Sequence, residues 1–149
     1  MDKMDYAILK SLRENARNTA STIGKEIHLS VSAVLERIRK MESTGLIKQY
    51  TIVVDQEKLG NNMTALMEVK MAHPKYYEGI IDAIRNNENI VSCHLIAGDY
   101  DLLLTIYCRS AEHLEQVHRM VMAHEGVTST KTNVVLRTAK NNYCSIPEE

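Results

Sequence analysis

The chain has no tryptophan and no phenylalanine among its 149 residues, so Leu, Ile, Val, Met and Tyr must build its core. It has three cysteines, Cys93, Cys108 and Cys144, an odd number with no CxxC pair. That count argues against a disulfide framework and against a zinc site. Cys93 and Cys108 lie in apolar, strand-like runs and read as core packing. No apolar run approaches the ~20 residues of a membrane span. The N-terminal "MDKMDYAILK" is acidic and lacks the basic-then-apolar order of a signal peptide. The expected location is therefore the cytoplasm, with no membrane partner. An excess of one charge is also missing, with 18 Lys/Arg against 19 Asp/Glu and a net charge of −1. This is not the balance of a strongly basic nucleic-acid binder. The distribution is uneven, however: residues 1–60 hold ten basic against eight acidic side chains, and residues 61–149 eight against eleven. The N-terminal part is the one suited to meet phosphates.

What is present is periodicity. Met4, Ile8 and Leu12 have helical spacing behind a capping Asp2, with Asp5 in the first turn and "ENARN" as the stop. A short second helix is predicted from Ala20 to Ile27. A third follows, with Ser30 as its N-cap, Val34, Ile38 and Met41 as its apolar stripe, and Gly45 as its stop. "LIKQYTIVVD" alternates and reads as a strand, and "QEKLGNN" reads as a linker. Beyond it the period changes. "TALMEVKM", "IVSCHLIA", "YDLLLTIYC" and "VTSTKTNVVL" read as strands, the middle two as a tight hairpin at about Gly98–Asp99. "KYYEGIIDAIRNN" and "SAEHLEQVHRMVMAHEG" read as helices, the latter capped by Ser110 and closed by Gly126. The order is βαββαβ, a ferredoxin-like antiparallel sheet with both helices on one face. Its other face needs a partner, and a second copy is the simplest one. There is no internal repeat and no low-complexity tract.

Two helices joined by a three-residue break describe a helix-turn-helix, in which the first helix props the N-terminal end of the second for entry into a major groove. Short polar side chains near that end, Ser32 with Ser30 and Glu36, suit base edges. Arg37, Arg39 and Lys40 suit phosphates. A solvated amphipathic helix packed on its own domain accounts for this segment equally well. In the second half, Asp101 at the mouth of an apolar sheet could hold an ammonium, and hairpin N–H groups a carboxylate. Thr128, Thr130 and Thr132 share one face and could add hydroxyls. Alternatively, Asp99 and Asp101 merely cap a hairpin and the threonines are simply strand formers. The spacings His113–His118 and His118–His124 do not match the i, i+4 pair a metal prefers, so no metal site is expected. Met120 and Met122 read as packing.

Four stretches together carry a family likeness: "MDKMDYAILKSLRENAR", "LSVSAVLERIRKMESTGLIKQYTIVVDQEKLG", "AGDYDLLL" and "GVTSTKTNVVL". In this order, and over nearly the whole chain, the sequence resembles the Lrp/AsnC (leucine-responsive, feast/famine) family of prokaryotic transcription regulators. The resemblance implies an α+β chain with an N-terminal winged helix-turn-helix domain (1–50), a strand and linker (51–61), a ferredoxin-like effector-binding and oligomerisation domain (62–140) and a tail (141–149). It implies double-stranded DNA as partner, met by Ser30, Ser32, Ala33, Glu36, Arg37, Arg39 and Lys40. It also implies a small effector, usually an amino acid, at Gly98, Asp99, Tyr100, Asp101, Thr130 and Thr132, in a cleft where subunits meet. No other cofactor is implied. Assembly as a dimer, and beyond it a tetramer or octamer, follows from the same resemblance. Two positions depart from the family pattern. His28 stands in the turn where Gly is usual and φ > 0 is needed, a region His tolerates better than a β-branched residue does. Gly24 stands where Ala is common, at ~1 kcal/mol of helix stability, with closer helix packing in return. An architectural protein that wraps DNA without sensing a metabolite is the alternative. An enzyme is not expected, because no nucleophile–base pair or paired acid/base carboxylates stand outside the hairpin.

Overall fold

The structure, a computed structural model, describes residues 1–147; the last two positions of the expected tail lie outside the described residues. The chain divides into two compact units: Met1–Val53 with Lys140 and the described residues after it, and Val54–Ala139.

The first unit is built on three helices, α1 (Lys3–Glu14), α2 (Ala20–Ile27) and α3 (Val31–Ser43). Each starts at a side chain that satisfies free amides of the first turn. The Asp2 carboxylate accepts from the Met4 and Asp5 amides, and Asp5 accepts back from the Asp2 amide at 2.9 Å, a capping box. Thr19 caps α2 and Ser30 caps α3. At the far end of α3, Gly45 takes φ +72° and the Ile47 amide turns back to the Met41 carbonyl at 3.1 Å. Ile8, Ile23, Val34 and Met41 form the buried centre where the three helices meet.

The strand expected in "LIKQYTIVVD" is not formed, and with it the wing is missing among the described residues. Leu46 and Ile47 belong to the close of α3, and Ile52 and Val53 are 82% and 67% exposed without a ladder. Alternation and β-branching describe a side-chain pattern, but a strand also needs a backbone partner. None is supplied there among the described residues.

The second unit runs β1 (Met63–Met71), a 3₁₀ turn at Pro74–Tyr76, α4 (Tyr77–Arg85), β2 (Ile90–Leu95), β3 (Leu102–Cys108), α5 (Ala111–Met122) and β4 (Val127–Val134). The sheet is antiparallel with order β2-β3-β1-β4. Alternation in β1 and β3 sends Ala65, Met67, Val69, Leu102, Leu104 and Ile106 to one face, where Ile80 and Ile84 of α4 and Val117 and Val121 of α5 cover them. The opposite face carries Thr64, Leu66, Leu103, Thr105 and Tyr107, half-buried and with no layer upon them. Gly126, at φ +87°, lets the chain turn from α5 into β4 directly over the Tyr76 ring, where a Cβ would strike the ring carbons. The β2–β3 connection is longer than the expected tight hairpin: it spans residues 96–101 and is closed by the Ile96 amide donating to the Asp101 carbonyl at 2.9 Å.

Candidate nucleic-acid interface and effector site

Two features fix the pose of α3. The first is the turn from α2. His28 occupies the left-handed region at φ 57°, ψ 42°, and the Leu29 amide donates to the Gly24 carbonyl at 2.9 Å. A Cβ on Gly24 would lie 2.6 Å from the Leu29 carbonyl oxygen. Gly24 therefore permits this close approach of backbone to backbone, and the left-handed conformation falls to His28.

The second feature is Arg37. Its guanidinium donates to Asp2 at 2.8 and 2.9 Å and to Asp5 at 2.7 Å. It ties α3 to the capping box of α1 and does not join the proposed phosphate contacts, because its charge is already neutralised by two carboxylates. The Arg37 hydrogen bond is the main influence holding the Asp2 carboxyl below the usual carboxylate range. For Asp5, burial pushes upward most strongly, but the Asp2 amide and Arg37 together outweigh it and the net shift is downward. Depressed carboxyl pKa values add stability that is present above the unfolded value and lost as pH falls through the folded one. Wild type is therefore expected to melt above an Arg37→Met variant at pH 7, with the gap closing as pH drops below about 4. Circular-dichroism melts between pH 7 and 2 measure this, and a gap independent of pH would contradict the tether.

With the helix so held, Ser32, Glu36, Arg39 and Lys40 are exposed on its outer side. Ser30 Oγ accepts from the Ala33 amide at 3.2 Å and lies 3.1 Å from Ser32 Oγ, so Ser30 and Ala33 are first of all parts of the cap. Val31 and Leu35, which the sequence reading passed over, share this side and are 46% and 39% exposed. Val31, Leu35 and Ile38 themselves fall at i, i+4 and i+7, so spacing alone assigns them to the buried stripe and only the fold shows the first two exposed. At the C-terminal end of α3, Glu42 accepts from the Tyr50 hydroxyl at 2.9 Å.

In the second unit the Gly98–Asp101 turn and the threonines occupy separate places. Gly98 and Asp99 are exposed at the turn, and Tyr100 is half-buried. Asp101 is engaged within the fold: it accepts from the Met71 amide at 2.7 Å and from the Tyr77 hydroxyl at 2.9 Å, with Lys70 Nζ at 3.9 Å. The Met71 amide is the main influence that lowers the Asp101 pKa. Asp101 thus fastens the turn to β1 and α4 in addition to any ligand role. Thr128 donates to the Lys70 carbonyl. Thr130 Oγ1 lies 2.9 Å from His118 Nε2, and Thr130 and Thr132 line a groove of about 390 Å³ with Ala111, Leu114, Glu115 and His118 of α5. Val69 pairs with Leu102 on one side and with Thr130 on the other, which puts turn and groove two strand spacings apart, about 10 Å. His118 and Glu115 were not legible as groove residues, because the sequence does not say which helix covers the edge strand.

The arrangement is a helix-turn-helix unit joined to a sheet unit with a polar groove, and the comparisons name the class. Residues 1–42 match the AsnC-type helix-turn-helix domain, and residues 64–143 match the Lrp/AsnC ligand binding domain. The chain belongs to the Lrp/AsnC family of transcription regulators, which are not enzymes. It is 33% identical over 140 residues to the regulator FL11 of Pyrococcus horikoshii, covering 94% of this chain and 92% of that protein. It is 35% identical over 135 residues to the regulator LrpC of Bacillus subtilis, covering 91% of each. A transcriptional regulator of Neisseria meningitidis, solved in complex with L-Met, superposes with a TM-score of 0.91 at 26% identity, covering 96% of this chain and 94% of that one.

Proposed function

We propose that the protein is a sequence-specific regulator that reads double-stranded DNA with α3 and senses an amino acid in its second unit. The observation that carries the first half is the outward face of α3: Ser32 and Glu36 stand beside Arg39 and Lys40, which form no ion pair among the described residues, on a helix braced by Arg37 and the His28 turn. Ser30 and Ala33 complete its N-terminal end, whose free amides suit a phosphate. Two recognition helices in a dimer would meet half-sites about one DNA turn apart. The uncovered sheet face with Leu66, Leu103 and Tyr107 is suited to a second copy, and dimers assemble further into tetramers or octamers. A reader of chromosomal DNA works in the cytoplasm.

The second half is supported by the groove at Thr130 and Thr132, by the nearby turn Gly98–Asp99–Tyr100–Asp101, and by the L-Met bound in the Neisseria structure. The effector is an amino acid, and no other cofactor is required. The test is thermal melting with each of the common amino acids, with light scattering on the same samples. One amino acid is expected to raise Tm by about 5–10 °C at a hundredfold excess over its Kd and to change the particle size. The double variant Thr130→Val, Thr132→Val is expected to lose both effects. Stabilisation that survives in the variant would move the site elsewhere.

A further inference from the structure

On α3 the aliphatic side chains Val34, Ile38 and Met41 turn to the core. Val31 and Leu35 do not: they are 46% and 39% exposed on the first two turns, beside Ser32. A single exposed Leu needs no account, but these two lie one helical turn apart and form a continuous apolar step. The step lies at the end of the helix that enters the groove. In a major groove, the apolar group that base edges present is the C5-methyl of thymine. Four residues of helix rise about 6 Å, and bases on one strand are about 3.4 Å apart. The two side chains therefore span about two base-pair steps.

We infer that Val31 and Leu35 read thymine methyl groups, so that each half-site carries two thymines about two steps apart. This rests on the reading of α3 as the DNA-facing helix. Ser32, between them, contacts a polar base edge, while Arg39 and Lys40 hold the backbone and contribute no sequence choice.

The test uses the full chain. Duplexes are enriched from a random pool, and each thymine of the best duplex is replaced in turn by deoxyuridine, which removes only the methyl. Replacement at four positions, two in each half-site, is expected to weaken wild-type binding about fourfold each, the worth of one buried methyl. Leu35→Ala removes one such contact in each half-site, so it should lose about sixteenfold on the thymine duplex and lose nothing more with deoxyuridine at its own two positions. Val31→Ala should behave likewise at the other two. Neither variant should alter the salt dependence, since no phosphate contact is removed. Alanine is a strong helix former, and circular dichroism verifies the fold. Deoxyuridine that is harmless everywhere, or a Leu35→Ala variant that keeps all four penalties in full, overturns the inference. A pool that yields no enriched sequence overturns the base-reading role of α3 as well.

Discussion

Reversing both charges, Arg39→Glu with Lys40→Glu, is expected to weaken DNA binding about a hundredfold or more in moderate salt, and on all sequences alike. Both side chains are exposed and neither forms an ion pair among the described residues, so the fold should not change. In a dimer the pair accounts for up to four phosphate contacts. Each contact contributes about 0.9 to the slope of log K against log salt, so the slope should fall by up to ~3.6. Arg37→Met is the internal control. Its guanidinium is already held by Asp2 and Asp5, so the salt slope should barely move. Titrations by fluorescence anisotropy at several salt concentrations would show both results. An unchanged slope in the double reversal would remove Arg39 and Lys40 from the phosphate contacts.

Gly24→Ala is expected to destabilise the first unit by about 2–3 kcal/mol. The sign runs against ordinary propensity, since Ala in a helix interior gains ~1 kcal/mol over Gly. Here the new Cβ would stand 2.6 Å from the Leu29 carbonyl oxygen, and neither side of that contact is a flexible side chain. Relief requires α2 and α3 to move apart, so DNA affinity should fall with stability. His28→Gly should do the opposite, gaining up to ~1 kcal/mol by removing a side chain from the left-handed region. Urea melts monitored by circular dichroism give both signs. A neutral Gly24→Ala would mean that the turn yields at no cost.

These two positions show what the sequence could tell and what it could not. His28 was legible as a turn residue because the helices on both sides of it were, and the resemblance supplied the expectation of φ > 0. Gly24 was legible as a cost to its helix offset by closer helix packing; that the close approach is to the carbonyl five residues on is what helix periodicity does not report. The same limit explains Arg37. A basic side chain on α3 suits a phosphate by type, and only the fold brings the α1 capping box to it. In the second unit, the change of period identified the strands, the helices and the βαββαβ order. The groove was half legible: the resemblance picked out Thr130 and Thr132, while His118 and Glu115 enter through the packing of α5 along the edge strand. The segment 46–55 was misread for a different reason. Its residues suit a strand, but pairing is a property of two strands, and one chain shows only one of them.

The central claim is that DNA affinity and amino-acid binding are coupled through assembly. It is tested most directly by measuring the affinity of the full chain for an enriched duplex with and without each common amino acid, with particle mass followed by sedimentation. The account predicts that one amino acid shifts the affinity by about 5- to 150-fold, the range of a typical coupling free energy, and changes the mass of the assembly with it. Affinity and mass unmoved by every one of them would contradict the account and favour a protein that organises DNA without sensing a metabolite.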